Sequence, residues 1–407
     1  MLFVVGAMAA LSIDVVTIYT ARSEAQLAAD AAALAGARVL ANSGVTSNPS
    51  AAMITAAWNL ASAVATRVAQ QNQVGGGNLT SITIPSAAGG TNTNPTITVT
   101  VQKNDLPTFF ARIWGRTAFT VSATATAEAY NPSGANASTG TTIPVAPICV
   151  KPWLLPNRDP SNGNAPIFDP VSGAINAGST LLGWSSGTPT TGLLLRERCG
   201  NCAGPPAPLD TWRYYPGDTT TTFPPPSQAL PACTPPLTTD YQKGIAGCIE
   251  TPISCNRSAN IDVGADFNRN TETADAVNCL THATPNPSDA DQVDPTVVPS
   301  PPFEFLAGTN NPITGSVGKD VMTSDSLVTV PVFDVGSFAP PSNTVTIVGF
   351  VQLFLNFDGT ETPNFGGNNG RVRTMVINMA GCGTGAAGQP ILGNGASPVV
   401  VRLISPP

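Results

Sequence analysis

The sequence has few charged residues and almost no histidine. Asp, Glu, Lys and Arg make up 11% of the 407 residues, against about 25% in an ordinary soluble domain. The net charge is −7 and no basic stripe is present, which excludes nucleic acid as a partner. His282 is the one histidine, and no Ser–His–Asp order, phosphate loop or paired-carboxylate signature stands out. We therefore expect neither catalysis nor a cofactor.

Uncharged polar residues, glycine and proline take the place of the missing charges. The 38 glycines and 39 prolines follow no period, which excludes collagen, and no tandem repeat is visible. Eight cysteines suit an oxidising compartment outside the cytosol. The chain is long enough for two or three domains with cores of their own.

One long helix pattern fills residues 1–44. It is apolar from Met1 to Ala21 apart from Asp14 and a few hydroxyl residues, and Arg22 is its first cation. Strong helix formers occupy residues 26–36, and Asn42-Ser43-Gly44 is a stop signal. A helix of this length spans about 65 Å. We expect it to lie in a membrane, against a partner, or in a polymer of this chain.

The rest of the chain predicts two further regions, so that the expected fold class is α+β. Residues 45–133 read as a small α/β module, with a helix over 51–71, a short helix over 106–114 capped by Asp105, and strands over 80–85, 96–102 and 117–130. Residues 134–407 read as a large β-rich, disulfide-stapled extracellular domain. Its segment 156–300 is irregular and holds six of the eight cysteines. Alternating strands from about residue 325 onward indicate an antiparallel sheet.

The N-terminal helix resembles a known family. Asp14, Tyr19, Arg22 and Gln26, followed by Leu-Ala-Ala-Asp-Ala-Ala-Ala-Leu-Ala-Gly, are similar to the signature of the TadE/TadG-like Tad pilus-assembly proteins. The segment Pro107-Thr-Phe-Phe-Ala-Arg-Ile-Trp is similar to a later part of that family.

The resemblance implies a type IV pilin-like envelope subunit. Such a subunit is held in the inner membrane by its helix, is cleaved by a prepilin peptidase, and packs helix against helix in a filament. The chain departs from the pattern in two ways. Val5 stands where pilins usually carry Glu, if Met1 is the mature start, and no basic leader precedes the apolar run. The Asp-x-Ser-x-Ser adhesion motif of some family members is also missing.

Asp14 lies within the apolar run and has two interpretations. In a helix bundle it would pair with a cation of a neighbouring subunit, either the N-terminal amine or Arg22. Alternatively it lies at the membrane–water boundary, with Tyr19 and Arg22 as interfacial anchors.

Small residues of the helix allow close packing. Ala28, Ala32 and Gly36, with Gly6 further up the helix, form this predicted assembly set. The partner is another subunit or the chain's own globular module, and both can apply on different faces of one helix. Leu27 and Leu34 are seven residues apart and suit a coiled-coil-like seam.

The cysteines are predicted to form structural disulfides. Cys199-Gly-Asn-Cys202 has the spacing of a redox or zinc motif, but its Pro-rich surroundings favour disulfides. Four bridges allow 105 connectivities, and we expect Cys149 to pair with Cys382 across the C-terminal sheet. The candidates are Cys149, Cys199, Cys202, Cys233, Cys248, Cys255, Cys279 and Cys382.

Two weaker sites remain as hypotheses. Asp266, Asn268, Asn270 and Glu272 alternate as oxygen ligands and suit Ca²⁺, but the glycine at position six of an EF-hand loop is missing, and a solvated polar loop is the preferred interpretation. Asn78, Asn136 and Asn256 fit the N-glycosylation pattern.

The sequence thus predicts a structural subunit of an extracellular bacterial pilus or pilus-like filament, a homo-oligomer on the cell surface. It would be inserted in the inner membrane before assembly and would depend on the inner-membrane assembly machinery. The alternative is a membrane-anchored minor pilin or adhesin that binds a surface ligand through its C-terminal domain.

Overall fold

The computed structural model describes most of the chain. Outside the described residues are 1, 48–49, 92–93, 135–142, 161, 180, 183–192, 198–210, 231, 263–269, 284–285, 297–301, 322, 339–341, 357–371, 384–390, 393–396 and 405–407.

Helices occupy the N-terminal part and strands dominate the rest. The named α-helices are α1 (Leu2–Asn42), α2 (Ala51–Gln71), α3 (Asp240–Ala246) and α4 (Asn270–Leu280), and 3-10 helices lie at Ala111–Trp114, Pro287–Asp289 and Val335–Ser337. The strands are β1 (Gln73–Val74), β2 (Gly77–Asn78), β3 (Ser81–Thr83), β4 (Gly89–Gly90), β5 (Pro95–Pro107), β6 (Ala118–Tyr130), β7 (Val145–Ala146), β8 (Trp153–Pro156), β9 (Leu193–Glu197), β10 (Thr211–Pro216), β11 (Ser258–Asn260), β12 (Gln292–Val293), β13 (Phe305–Leu306), β14 (Leu327–Phe333), β15 (Thr344–Leu355), β16 (Val372–Gly381), β17 (Ile391–Leu392) and β18 (Val400–Ile404).

The chain divides into two compact units. The first comprises Met1–Ala41, Ser50–Tyr130 and Val401–Pro407, and the second comprises Asn42–Pro49 and Asn131–Val400. The first unit thus joins most of the predicted stalk with most of the predicted α/β module.

The first unit places α1 and α2 with a five-stranded sheet of order β18-β6-β5-β3, in which β4 also pairs with β5. On the long antiparallel pair β5–β6, one face buries Ile97 and Val99 together with small residues of β6. Threonines pair across the same two strands, with Oγ1 atoms 2.9 Å apart in Thr98–Thr126. This alternation is what the period-two pattern predicted.

The short helix predicted over 106–114 is wrong in its first half. β5 continues to Pro107, and only Ala111–Trp114 is helical. Asp105 does not cap it, because its carboxylate pairs with Lys103 Nζ at 2.8 Å. The cap comes from a distant residue, described below.

The second unit is built on a seven-stranded sheet of order β11-β15-β14-β8-β10-β9-β16. Because β15 also pairs with β16, the sheet closes on itself around a core that includes Trp153, Trp212 and Tyr214. The β-rich C-terminal region is therefore confirmed, and so is the antiparallel run β14–β15–β16.

Two details of the predicted antiparallel domain are wrong. The pairs β8–β14 and β9–β10 are parallel, because strands from the earlier part of the chain enter the sheet between the later ones. The last strand, β18, pairs with β6 in the first unit instead of joining β14–β16.

Candidate functional site

The candidate site is the surface of α1, which carries large apolar side chains in contact with solvent. Leu11, Ile13, Val15, Val16 and Tyr19 are all exposed. Further along, Leu27 is 67% exposed, Leu34 is half-buried, and Arg22 is exposed. In a helix with about 3.6 residues per turn, Val16, Leu27 and Leu34 lie on one side. Ile13 and Tyr19 flank this line, and we call the side that carries Ile13, Val16, Tyr19, Leu27 and Leu34 the outer face of α1; Leu11 and Val15 lie further round the helix.

The opposite side of α1 is a stripe of small residues buried within the first unit. Ala21, Ala25, Ala28, Ala29, Ala32 and Ala33 expose 1% of their surface or less, and they recur at helical spacing. A Cβ added to Gly36 would lie 2.6 Å from Ile97 Cδ1 and 3.2 Å from Ala65 Cβ. Gly36 therefore packs against α2 and the sheet of the same chain, and Ala28 and Ala32 are buried on the same side of α1.

Asp14 holds α1 to the start of the 3-10 helix Ala111–Trp114. Its Oδ1 accepts a hydrogen bond from the N–H of Phe109 at 2.9 Å, and its Oδ2 accepts from Phe110 at 3.0 Å and Ala111 at 2.7 Å. The first N–H groups of a helix lack internal partners, and a carboxylate there is favoured by the helix dipole. The partners of Asp14 in this structure are thus three backbone donors of the same chain, and the two sequence-based interpretations of Asp14 stay predictions.

The environment of Asp14 keeps its carboxylate charged. The residue is only 2% exposed, and this burial raises its pKa. The hydrogen bonds from Phe109, Ala111 and Phe110 lower the pKa, and together they leave it below its ordinary value. A carboxylate that accepts several backbone N–H groups commonly behaves in this way.

Two further polar residues of α1 bond to the same unit. Glu24 Oε2 accepts a hydrogen bond from the N–H of Gly75 at 2.6 Å. Gly75 lies in the turn between β1 and β2 and has a φ of +59°. Gln26 Nε2 donates to Asp30 Oδ1 at 2.8 Å and to the carbonyl of Thr124 at 3.5 Å. The polar residues of the helix thus orient it, so that its outer face points away from the sheet.

Sequence reasoning singled out Asp14 but missed its partners. The two segments that carry the family resemblance, the N-terminal helix and Pro107–Trp114, bond to each other through this carboxylate. The presence of both segments in one family was the signal in the sequence that could have indicated this contact. Gly6 lies on α1, at a position whose surroundings fall outside the described residues.

The disulfides correct one predicted pairing. Cys149 bonds to Cys248, Cys233 to Cys279, and Cys255 to Cys382. The proposed Cys149–Cys382 pair is therefore wrong, because each of these cysteines lies beside a loop cysteine that the sequence placed in the irregular segment. Cys199 and Cys202 lie outside the described residues.

The calcium and glycosylation hypotheses remain predictions. Asp266 and Asn268 lie outside the described residues, Asn270 begins α4, and Glu272 Oε2 accepts from Thr239 Oγ1 at 3.3 Å. Among the described residues, no group of three or more His, Cys, Asp or Glu side chains is arranged to hold a metal ion. Asn78 is exposed on β2, Asn256 donates its side-chain N–H to the carbonyl of Gly383, and Asn136 is not among the described residues.

A search of the described helices finds none that combines the length and the apolar content needed to cross a membrane.

Comparison with known proteins gives one match. Residues 1–39 match the family model described as Putative Flp pilus-assembly TadE/G-like. No curated protein and no solved structure matches the chain significantly. The matched segment contains Asp14, Glu24 and Gln26, the residues that hold α1 to the first unit, together with most of the outer face. The resemblance seen in the sequence is thus confirmed over residues 1–39, which form a TadE/G-like segment and indicate a pilus-related role for the chain.

Proposed function

We propose that this protein is a structural subunit of an extracellular pilus or pilus-like filament, and that it polymerises through the outer face of α1. The observation that carries the proposal is the exposure of Ile13, Val16, Tyr19 and Leu27 on one helix. Contiguous exposed apolar surface of this kind marks an interaction site.

Assembly would bury the outer face between helices of neighbouring subunits. Leu27 and Leu34, with the seven-residue spacing of a coiled-coil seam, would lie at the centre of the contact. The small-residue stripe would remain inside each subunit, where it packs α1 against the rest of the first unit. Before assembly, the apolar N-terminal end would be held in the inner membrane, where a prepilin peptidase and the pilus machinery would act on it.

The test is a charge placed on the outer face. Leu27→Glu should abolish filaments in preparations sheared from cells, because a buried unpaired carboxylate opposes packing. Leu392→Glu is the matched control, since Leu392 is 62% exposed in the second unit and should leave filaments intact. Ala32 and Gly36 are unsuitable positions, because charges there would disrupt the fold of the subunit itself.

Cryo-electron microscopy of wild-type filaments is the second readout. It should show α1 bundled around the filament axis, with the second unit outside. The polymerisation proposal would be rejected if wild-type filaments consist of another protein and if cells that carry the Leu27→Glu variant still form filaments. They would favour the alternative of a membrane-anchored minor pilin or adhesin that acts through the second unit.

A further inference from the structure

The second unit contains a cavity that nothing above uses. Its volume is about 270 Å³, and it lies where the parallel strands β8 and β14 end side by side, at Pro156 and Phe333. Its lining includes Arg158, Trp212, Arg213, Tyr215, Phe333 and Phe338.

Two arginines supply positive charge to this cavity. Arg158 is exposed and Arg213 is half-buried, and neither guanidinium has an ion pair or hydrogen bond to a described residue. None of the described lining residues is acidic, although the chain as a whole carries a net charge of −7. Planar guanidinium groups favour carboxylate or phosphate oxygens, which they bind in pairs of hydrogen bonds.

The remaining walls are aromatic and rigid. Tyr215 packs edge-on against Phe333 and against Phe338, with ring centroids 5.5 Å apart in both pairs. Arg213 and Tyr215 are two apart on β10, so they share a face of the strand. Trp212 also lines the cavity and is 2% exposed, and its indole N–H has no partner among the described residues. This N–H lies with the Trp212 ring in the core that the sheet encloses, on the other face of β10 from Arg213 and Tyr215, so it does not serve the cavity.

The charged and aromatic side chains of the cavity together favour one class of ligand over others. Inorganic phosphate would satisfy the arginines but would not use the aromatic rings. A neutral sugar would pack its C–H face on the rings and leave two guanidinium groups without a partner. A carboxylated pyranose has both an apolar face and a charged group. The volume is slightly below the range of about 300–1,000 Å³ that drug-sized ligands occupy, which fits a single sugar ring.

We propose that this cavity binds one carboxylated sugar unit of an acidic polysaccharide, with Arg158 and Arg213 on the carboxylate and the aromatic side chains against the ring. The site lies wholly in the second unit. It therefore does not depend on polymerisation and would operate in a major subunit or in an adhesin.

The experiment is saturation-transfer NMR and calorimetry on the full chain with three probes: glucuronate, glucose and inorganic phosphate. Glucuronate should bind with a dissociation constant near 1 mM, about −4 kcal/mol, and glucose and phosphate should bind at least tenfold more weakly. Arg158→Gln and Arg213→Gln should each weaken glucuronate binding by about tenfold or more.

Arg257→Gln is the control, because Arg257 is exposed elsewhere in the second unit and should bind as the wild type does. The Leu27→Glu chain should also bind glucuronate normally, which separates this site from assembly. Absence of glucuronate binding to the wild type would overturn the proposal. Equal binding of phosphate would reduce the site to a simple anion site, and equal binding of glucose would remove the role of the arginines.

Discussion

At the residue scale, Asp14 shows how one side chain can determine the position of a long helix. Its carboxylate joins α1 to backbone donors 95 to 97 residues later in the chain. The sequence identifies Asp14 as unusual, because an acid in an apolar run needs a partner. It does not identify that partner, because three backbone N–H groups leave no trace in residue types. The small residues of α1 behave similarly, since their spacing predicts close packing but not which surface they pack against.

The first prediction concerns acid. Because the pKa of Asp14 in the fold lies below its unfolded value, its stabilising contribution is complete above about pH 4 and is lost as the pH falls through the folded value. Asp14→Asn should abolish this dependence and increase hydrogen exchange of the Phe109–Ala111 amides at pH 7. Exchange followed by mass spectrometry measures it, with Asp30→Asn as the control. Unchanged exchange in Asp14→Asn would show that the three hydrogen bonds do not hold this segment.

The second prediction concerns a buried lysine of the second unit. Lys151 donates from Nζ to the carbonyl of Gly247 at 2.8 Å, and burial lowers its pKa to about 7, against a smaller opposing effect of Asp325. Between pH 7 and its unfolded value the unfolded chain binds the extra proton, so stability rises with pH by up to about 1.4 kcal/mol per unit.

Lys151→Met should remove this rise. The free energy of unfolding of the variant, relative to that of the wild type, should be highest at pH 7 and below, and the difference should shrink toward pH 10. Denaturant unfolding across that range measures it. Lys243→Met, at an exposed position, should follow the wild type at every pH. A parallel pH dependence in Lys151→Met would contradict the assigned pKa.

At the element scale, strand positions follow from the sequence better than strand partners do. The pattern predicts β5, β6, β14, β15 and β16 because alternation and β-branching are local properties. It assigns β18 to the wrong sheet, because the pairing of a strand is set by tertiary contacts that a strand of five residues cannot specify. The outer face of α1 is foreseen only in part, since an exposed and a buried Leu look the same in the sequence.

The third prediction tests the contribution of β18. Arg402 on this strand bonds through Nη2 and Nε to Glu128 Oε2, at 2.8 and 2.9 Å, and lies over the ring of Tyr130. Arg402→Met keeps the apolar stem but leaves the carboxylate of Glu128 unpaired. We expect the free energy of unfolding of the first unit to fall by about 1–2 kcal/mol. Arg116→Met, at an exposed position in the same unit, should have no effect, and equal values for both variants would refute the role of Arg402.

At the scale of the whole molecule, disulfides connect distant parts of the second unit. That cysteines form disulfides could be anticipated from eight cysteines in a composition typical of an oxidising compartment. Their pairing could not, because sequence spacing does not report distances in the fold. Cys255 and Cys382 are 127 residues apart in the sequence. Asn256, next to Cys255, donates its N–H to the carbonyl of Ile347 on β15, and Cys382 donates its N–H to the neighbouring carbonyl of Val348. The sheet brings the two cysteines together.

The fourth prediction compares two of these bonds. Replacing Cys255 and Cys382 by Ala should cost about 3–5 kcal/mol of stability in the second unit. The same change at Cys233 and Cys279, which are 46 residues apart, should cost about 1 kcal/mol less, because the bond closes a shorter loop. Thermal unfolding of the two double variants measures the difference. A reversed order would show that loop closure does not dominate their effect.

The position of β18 has a consequence for how this chain is made and how it diverges. The strands β6 and β18 share a sheet, although Glu128 and Arg402 are 274 residues apart. Most of the second unit, Asn131–Val400, is thus inserted between two strands of the first, and the sheet of the first unit is complete only after the inserted part has been synthesised. Such an arrangement lets the inserted part change in sequence and size while α1 and its supporting sheet are kept.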